Sequence, residues 1–565
     1  MDFRRIILFG SLGLVLAMIW QSWEQYQVEH GPQGVTQQGA YTEEKDGPSV
    51  TASNVTDDVP DAPQVESVGA VSQPETPVIE QESTKAGKLI QIKTDLIKAQ
   101  IDTQGGDLVR VELLKHPVSV DTPDQPFVLM HRDSSALYVA QSGLIGAGRE
   151  YPNHNVEYST DRLDLDLGDR DSVEAELLWT GPDGVEYKKI YTFHRDSYRI
   201  DVDFKIKNNS TQEWSGFFYG QLKQTEIEQA GSMGFLGRLP SYSGAAIYTE
   251  EDKYDKIDYS EINESPLNLS TREGWVAMLQ HYFVSAWLPQ DASGYQIYSG
   301  VSRNTPAPQY RIGFKNTEPV RIAAGQQGEI KGALFVGPKE HQRLTALEVP
   351  GIALTVDYGW LTPVADPLFW LLTKIHSLVN NWGWAIILLT LLVKIIFLPL
   401  SAASYKSMAK MKKLQPRLQT LKERYGDDKQ KFQQEMMKLY KTEKVNPAGG
   451  CLPILVQIPV FIALYWTLLE SVELRQADFM FWLNDLSLPD PYYVLPIIMG
   501  ISMLAQQMLN PAPMDPLQKK IMTALPVVFT VFFLWFPAGL VLYWVVNNLL
   551  SIAQQYFITK KYQNA

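Results

Sequence analysis

Hydrophobic and polar positions divide this chain into regions of different period. Near the N-terminus, Arg4-Arg5 precedes an apolar run from Ile6 to Trp20, which ends in Trp20-Gln21-Ser22-Trp23. Basic residues before the run, interfacial aromatics after it and no small-x-small site predict an uncleaved signal anchor over residues 1–24 with a cytoplasmic N-terminus; a cleaved signal is the alternative. Residues 25–87 are rich in Gly, Pro, Ser, Thr, Gln and Glu. Such a segment buries too little apolar surface to offset its ordering entropy, so a disordered tether is expected. From Leu89 the pattern becomes alternation broken by turn residues. Strands are predicted at Tyr191–Arg195, Tyr198–Lys207 and Trp275–Met278, and turns at Gly105-Gly106, Pro182-Asp183-Gly184 and Asn208-Asn209. An all-β domain over residues 88–350, most simply a large sandwich, is the expectation.

Helical spacing takes over at Leu361. Pro363 and Pro367 open a segment whose apolar residues recur at Leu368, Leu371, Leu372, Ile375 and Leu378. This predicts an amphipathic helix over 361–379 lying on a membrane surface. Five long apolar runs follow: Trp382–Leu400, Pro453–Leu469, Tyr492–Leu509, Ile521–Phe536 and Leu540–Ile558. Residues 401–445, between the first two, hold 12 Lys+Arg against 5 Asp+Glu. There Met408, Met411, Leu414, Leu418 and Leu421 keep helical spacing, and Tyr425-Gly426-Asp427-Asp428 ends one helix and caps a second over Lys429–Lys441. A cytoplasmic helical hairpin is expected, its basic face explained by positive-inside bias, or with Met408/Met411 and Met436/Met437 giving an adaptable contact surface. Basic connectors alternate with non-basic ones along the rest of the chain. The pattern predicts a polytopic α-helical membrane protein of six spans, five of them in a core over 380–565, with both termini cytoplasmic and the β domain opposite.

Charge sharpens the division. The 565 residues carry a net charge of −13, but residues 24–373 carry −22 and residues 401–565 carry +6. An acidic exterior domain and a basic membrane region suit two sides of one membrane. Cys451 is the only cysteine, which excludes disulfides within the chain and multi-cysteine metal or thiol chemistry. The β region has no Gly-rich phosphate loop, HExxH motif or Cys/His cluster, and its abundant carboxylates read as a solvated face. Covalent catalysis within the five core runs would need a nucleophile–base pair, and none of them contains a histidine. Solute transport would lead one to expect inverted repeats, and no internal repeat is evident.

One residue stands out against this background. Lys394 is the only charge between Trp384 and Leu400. Placing a lysine at membrane depth costs roughly 2.5–3.5 kcal/mol on insertion scales. Two readings follow: Lys394 snorkels to headgroups near Ser401, or it serves a task in a wet cavity. Thr390, four residues earlier, shares its helix face. Gln457 is a second polar residue at depth, with Gln506, Asn547 and Asn548 weaker candidates; hydrogen bonding between helices is the alternative for each.

Several runs carry a resemblance: Asp357-Tyr-Gly-Trp, Asn381-Trp-Gly-Trp, Ser407-Met-Ala-Lys-Met, Gly426-Asp-Asp-Lys-Gln, Asn446-Pro-Ala-Gly-Gly-Cys-Leu-Pro, Ser471-Val-Glu-Leu-Arg-Gln-Ala, Asp490-Pro-Tyr-Tyr-Val-Leu-Pro and Phe533-Leu-Trp-Phe-Pro-Ala-Gly-Leu-Val-Leu-Tyr. Gly274-Trp-Val-Ala-Met-Leu-Gln adds a match within the β region. Together they resemble the YidC/Oxa/Alb family of membrane protein insertases, in its Gram-negative form with a large periplasmic domain. The resemblance implies a periplasmic β-supersandwich and five core helices around a hydrophilic groove, open to cytoplasm and lipid and closed toward the periplasm. It implies insertion and chaperoning of inner-membrane proteins without covalent chemistry or cofactors. Nascent membrane proteins, the Sec translocon, ribosome and targeting machinery and membrane lipids are the implied partners, with no sequence-specific nucleic acid. Lys394, Thr390 and Gln457 then fall in the groove, with Phe461, Tyr543 and Trp544 as an apolar slide; anchoring in an interfacial aromatic belt is the alternative for the aromatic residues. Met408, Met411, Tyr425, Gly426, Asp427 and Asp428 fall in the cytoplasmic contact hairpin. The family carries an arginine on its first core helix where this chain has Lys394. A desolvated lysine can lose its proton where an arginine does not, so a wet groove is expected.

Overall fold

The computed structural model describes residues 59–62 and 87–563, except 134–135, 227–241, 291–293, 304, 426–427, 444, 446–451 and 511–515. The expected anchor at 1–24, nearly all of the tether at 25–87, and Gly426 and Asp427 lie outside the described residues.

Strands begin at Leu89 and end at Pro338, forming an eleven-stranded and an eight-stranded sheet among the described residues. In the first sheet Trp214–Thr225 is central, antiparallel to Leu137–Ile145 on one side and Gln309–Asn316 on the other. In the second, Gln327–Pro338 lies between Arg199–Lys207 and Phe283–Pro289. Strict alternation in Arg199–Lys207 turns Ile200, Val202, Phe204 and Ile206 inward, the period-two pattern of a half-buried strand. The sheets meet face to face: Phe218 of the first packs edge-on to Phe204 and Trp287 of the second, with ring centroids 6.0 and 6.2 Å apart. Gly220 admits this approach, since a Cβ there would lie 2.8 Å from the Trp287 ring. The predicted Gly105-Gly106 turn exists, both residues having positive φ.

Some carboxylates of this domain are not solvated. Asp102 is buried and paired with Arg132, and Asp107 is buried and accepts from Gln141 Nε2 at 2.8 Å. Lys189, fully buried, donates to the carbonyls of Gly106 and Ser142, both at 2.8 Å. Charge count alone could not distinguish these partnered groups from a surface face, because pairing across strands depends on register.

Two short helices, α1 (Tyr259–Glu264) and α2 (His341–Ala346), decorate the sandwich. The remaining helices are α3 (Thr362–Val379), α4 (Trp382–Ile396), α5 (Leu398–Lys413), α6 (Gln415–Tyr425), α7 (Lys429–Thr442), α8 (Leu452–Glu470), α9 (Val494–Leu509), α10 (Pro516–Phe532) and α11 (Ala538–Gln563). Among the described residues no single helix is both long and apolar enough to cross a membrane; α4 and α5 meet that test only together, and they are bent by 66°. The continuous run expected over Trp382–Leu400 therefore breaks at Phe397. Pro399 explains the break: it has no N–H to donate and its ring crowds the carbonyl four residues back. Pro416 similarly separates α6 from α5 at Leu414. In α3 the buried residues are Ala365, Phe369 and Leu372, while Leu378, expected on the apolar face, is 82% exposed.

The two halves share one interior. Ala365 and Phe369 of α3 and Ala463 of α8 belong to the same buried cluster as the sandwich core. A second cluster, including Leu372, Ile386, Leu389, Leu464, Met499 and Val541, joins α3, α4, α8, α9 and α11. Just past α8, Glu473 is half-buried, and its partial desolvation with the nearby charge of Glu340 lifts its carboxyl from 4.5 to about 7. A raised carboxyl contributes stability below its unfolded value and loses it as pH rises through the folded one. The loss amounts to roughly 3 kcal/mol above pH 7. Glu473→Gln is accordingly expected to raise the apparent unfolding temperature of the detergent-solubilised protein at pH 8, and by less than half as much at pH 5. Equal gains at both pH values would rule this account out.

Candidate functional site

Lys394 lies in the last turn of α4, one turn before the bend. A cation is favoured there by the partial negative charge of unpaired helix carbonyls. Its side chain is 5% exposed and turns into the helical core. Nζ donates to Ser551 Oγ of α11 at 2.8 Å and reaches Gln457 Oε1 of α8 at 3.4 Å. Gln457 Nε2 donates in turn to Asn547 Oδ1 at 2.6 Å, and Ser551 Oγ donates to the Asn547 carbonyl at 2.7 Å. Among the described residues no carboxylate forms an ion pair with Lys394. The ammonium is thus solvated by neutral oxygens supplied by two other helices.

The other expected residues divide. Phe461 of α8 stacks on Tyr543 of α11 with centroids 6.0 Å apart, and meets Trp544 edge-on at 4.8 Å. Trp544 also packs on Phe529 and Phe533, extending the aromatic surface to the end of α10. Gln457 neighbours the Tyr543 hydroxyl, so polar and aromatic groups adjoin. Thr390 is buried, but its hydroxyl donates to the Ile386 carbonyl of its own helix at 2.7 Å. Asn548 donates to Ser502 Oγ of α9 at 3.1 Å, the helix-joining role. Ser551 was not singled out from the sequence. The available signal was its spacing of four from Asn547, which puts both on one face of α11.

In the 401–445 region, α6 and α7 share a cluster of Leu414, Leu418, Met436 and Tyr440, with Met411 and Phe432 packed against it. Met411 and Met436 thus pack within the pair, whereas Met437 is exposed and Met408 is half-buried. Asp428 caps α7, accepting from the Lys431 amide at 3.0 Å. The Tyr425 ring lies 5.5 Å from the Lys431 ammonium.

Two family models divide the chain between them. Residues 374–565 match the 60Kd inner membrane protein family, and residues 89–371 match the YidC periplasmic domain. The class is therefore an inner-membrane protein with a β-rich periplasmic domain. The membrane protein insertase YidC of Methylobacillus flagellatus is 48% identical, covering 100% of this chain and 98% of the relative. That of Thioalkalivibrio sulfidiphilus is 47% identical, with 100% and 99% coverage. The crystal structure of an active YidC insertase with its first transmembrane domain resolved is 20% identical, covers 84% of this chain and 93% of its own, and has a TM-score of 0.37. The chain belongs to the YidC family of membrane protein insertases.

The polar network makes a prediction independent of activity. Ser551→Ala leaves a buried ammonium without its nearest acceptor, which costs about 1–3 kcal/mol or more. The variant is expected to unfold at lower temperature than the parent. In a Lys394→Leu background the same change is expected to do little. Equal destabilisation in both backgrounds would show that the bond is not what holds the three helices.

Proposed function

We propose that this insertase receives the polar segment of a client in a groove bounded by α4, α8 and α11, with Lys394 as its cation. The observation that carries the reading is the lysine itself: a buried ammonium in an apolar helix, held by neutral oxygens and lacking a carboxylate partner among the described residues. Moving a polar segment across hydrocarbon is opposed chiefly by desolvation. A polar cavity reaching part-way shortens that path, and an uncompensated cation attracts acidic residues of the incoming chain. Phe461, Tyr543 and Trp544 adjoin the network and offer an apolar surface along which the client's hydrophobic segment leaves for lipid. No covalent bond is made or broken, so the protein is an insertase and not an enzyme.

The topology that serves this task has six spans, with the 1–24 anchor and five core segments including the bent α4–α5 pair. Both termini and the α6–α7 hairpin face the cytoplasm, and the sandwich faces the periplasm. Supporting this orientation are the net charges of −22 over residues 24–373 and +6 over residues 401–565. The hairpin, with Tyr425 and Asp428 and the intervening Gly426 and Asp427, together with Met408 and Met411 toward the end of α5, is the surface for ribosome or targeting machinery. Nascent membrane proteins are the clients, delivered alone or with the Sec translocon.

Lys394→Arg is expected to keep insertion of clients with acidic translocated tails, while Lys394→Ala is expected to reduce it severalfold in cells depleted of the native protein. Equal insertion by Lys394→Ala would remove the cation from the mechanism. Photoreactive groups at Gln457 and Phe461 are expected to crosslink a stalled client transiently as its length grows. No crosslink at any length, from correctly folded protein, would remove the groove.

A further inference from the structure

The end of α8 that points away from Gln457 is held by the β domain. Glu470, its last residue, is 6% exposed, and its carboxylate lies 3.7 Å from Lys339 Nζ and 3.9 Å from His281 Nε2. Lys339, 4% exposed, directly follows the strand Gln327–Pro338; His281 sits in the turn before Phe283–Pro289. His281 Nε2 also lies 3.1 Å from the Leu469 carbonyl, one of the four that a helix C-terminus leaves unpaired. Five residues past Glu470 a second hold begins. Arg475 and Gln476 each donate to the Pro117 carbonyl at 2.7 Å, and the Arg475 guanidinium lies 5.8 Å from the Phe127 ring and 5.7 Å from Phe283.

A buried ion pair is a poor means of adding stability, since apolar groups of the same shape serve as well. Its distinguishing property is direction. The apolar contact through Ala463, Ile462 and Trp466 attaches α8 to the sandwich but tolerates sliding; a carboxylate between an ammonium and an imidazole does not. Within α8, Pro459 lies between Gln457 and Phe461 and removes one backbone hydrogen bond. The segment on the Gln457 side is tied to Lys394 and Asn547. The segment carrying Phe461 runs nine residues, about 13 Å, to the held end.

We propose that Glu470 is a positioning residue: gripped by Lys339 and His281 of the β domain, it fixes where the outer half of α8 places Phe461 along the client's path. This rests on the groove proposed above. The β domain thereby takes part in insertion without touching the client in the groove, by holding one helix of the core.

The test uses the full-length protein in membranes, with a photoreactive aromatic residue at position 461 or 457 and a stalled client of fixed length. Glu470→Lys places a cation against Lys339 and is expected to lower crosslinking from position 461 at least threefold, with a smaller change from position 457 beyond Pro459. The double variant Glu470→Lys/Lys339→Glu, which restores opposite charges across the contact, is expected to restore crosslinking at 461. Glu470→Gln, which keeps the shape without the charge, is expected to lose about half and serves if the lysine variant does not fold. Native-level crosslinking from 461 in both single variants overturns the proposal. So does an equal fall at 461 and 457 without rescue by the charge swap, which would mark Glu470 as structural only. Absence of crosslinks in the parent protein instead overturns the groove.

Discussion

An ammonium group taken out of water must find oxygen atoms elsewhere, and that requirement organises the helical core. The backbone carbonyls of α4 are largely committed to their own helix, so Lys394 takes its acceptors from Gln457 and Ser551, 63 and 157 residues away in sequence. Satisfying one side chain thus brings α4, α8 and α11 together. The network also fixes its own orientation. Lys394 can only donate, so Gln457 must turn its oxygen toward the lysine and its nitrogen toward Asn547, as it does.

Lysine suits the geometry of this arrangement. A compact ammonium can send separate bonds to acceptors on two helices, whereas a planar guanidinium favours paired acceptors in its own plane. The aromatic residues adjoin the polar ones because Phe461 follows Gln457 by four positions on α8, and Tyr543 precedes Asn547 by four on α11. One face of each helix therefore presents a polar step and then an apolar one.

Much of this was legible in the sequence, for reasons that individual residues make plain. Strands such as Arg199–Lys207 were visible because alternation of Ile200, Val202, Phe204 and Ile206 is dictated by one buried face. Lys394, Gln457, Phe461 and Tyr543 were visible as exceptions to apolar runs or through family likeness, and the structure places them side by side. The bend at Phe397 was hidden because hydropathy is blind to Pro399 and the carbonyl it crowds. Ser551 was hidden because a small hydroxyl can bond its own helix, as it also does here with Asn547. Asp102 and Asp107 looked like surface charge because their partners are set by strand register, which composition does not carry.

The shared interior has a consequence for the order of events during synthesis. Ala463 is part of the sandwich core, yet it is made 125 residues after Pro338 closes the last strand. Phe369 and Ala365 arrive earlier, but they too come after every strand among the described residues is complete. A newly made sandwich therefore has an unfinished apolar floor for as long as it takes to produce and seat α8. Throughout that interval the nascent insertase is itself an incompletely folded membrane protein, with a sticky surface to keep from its neighbours.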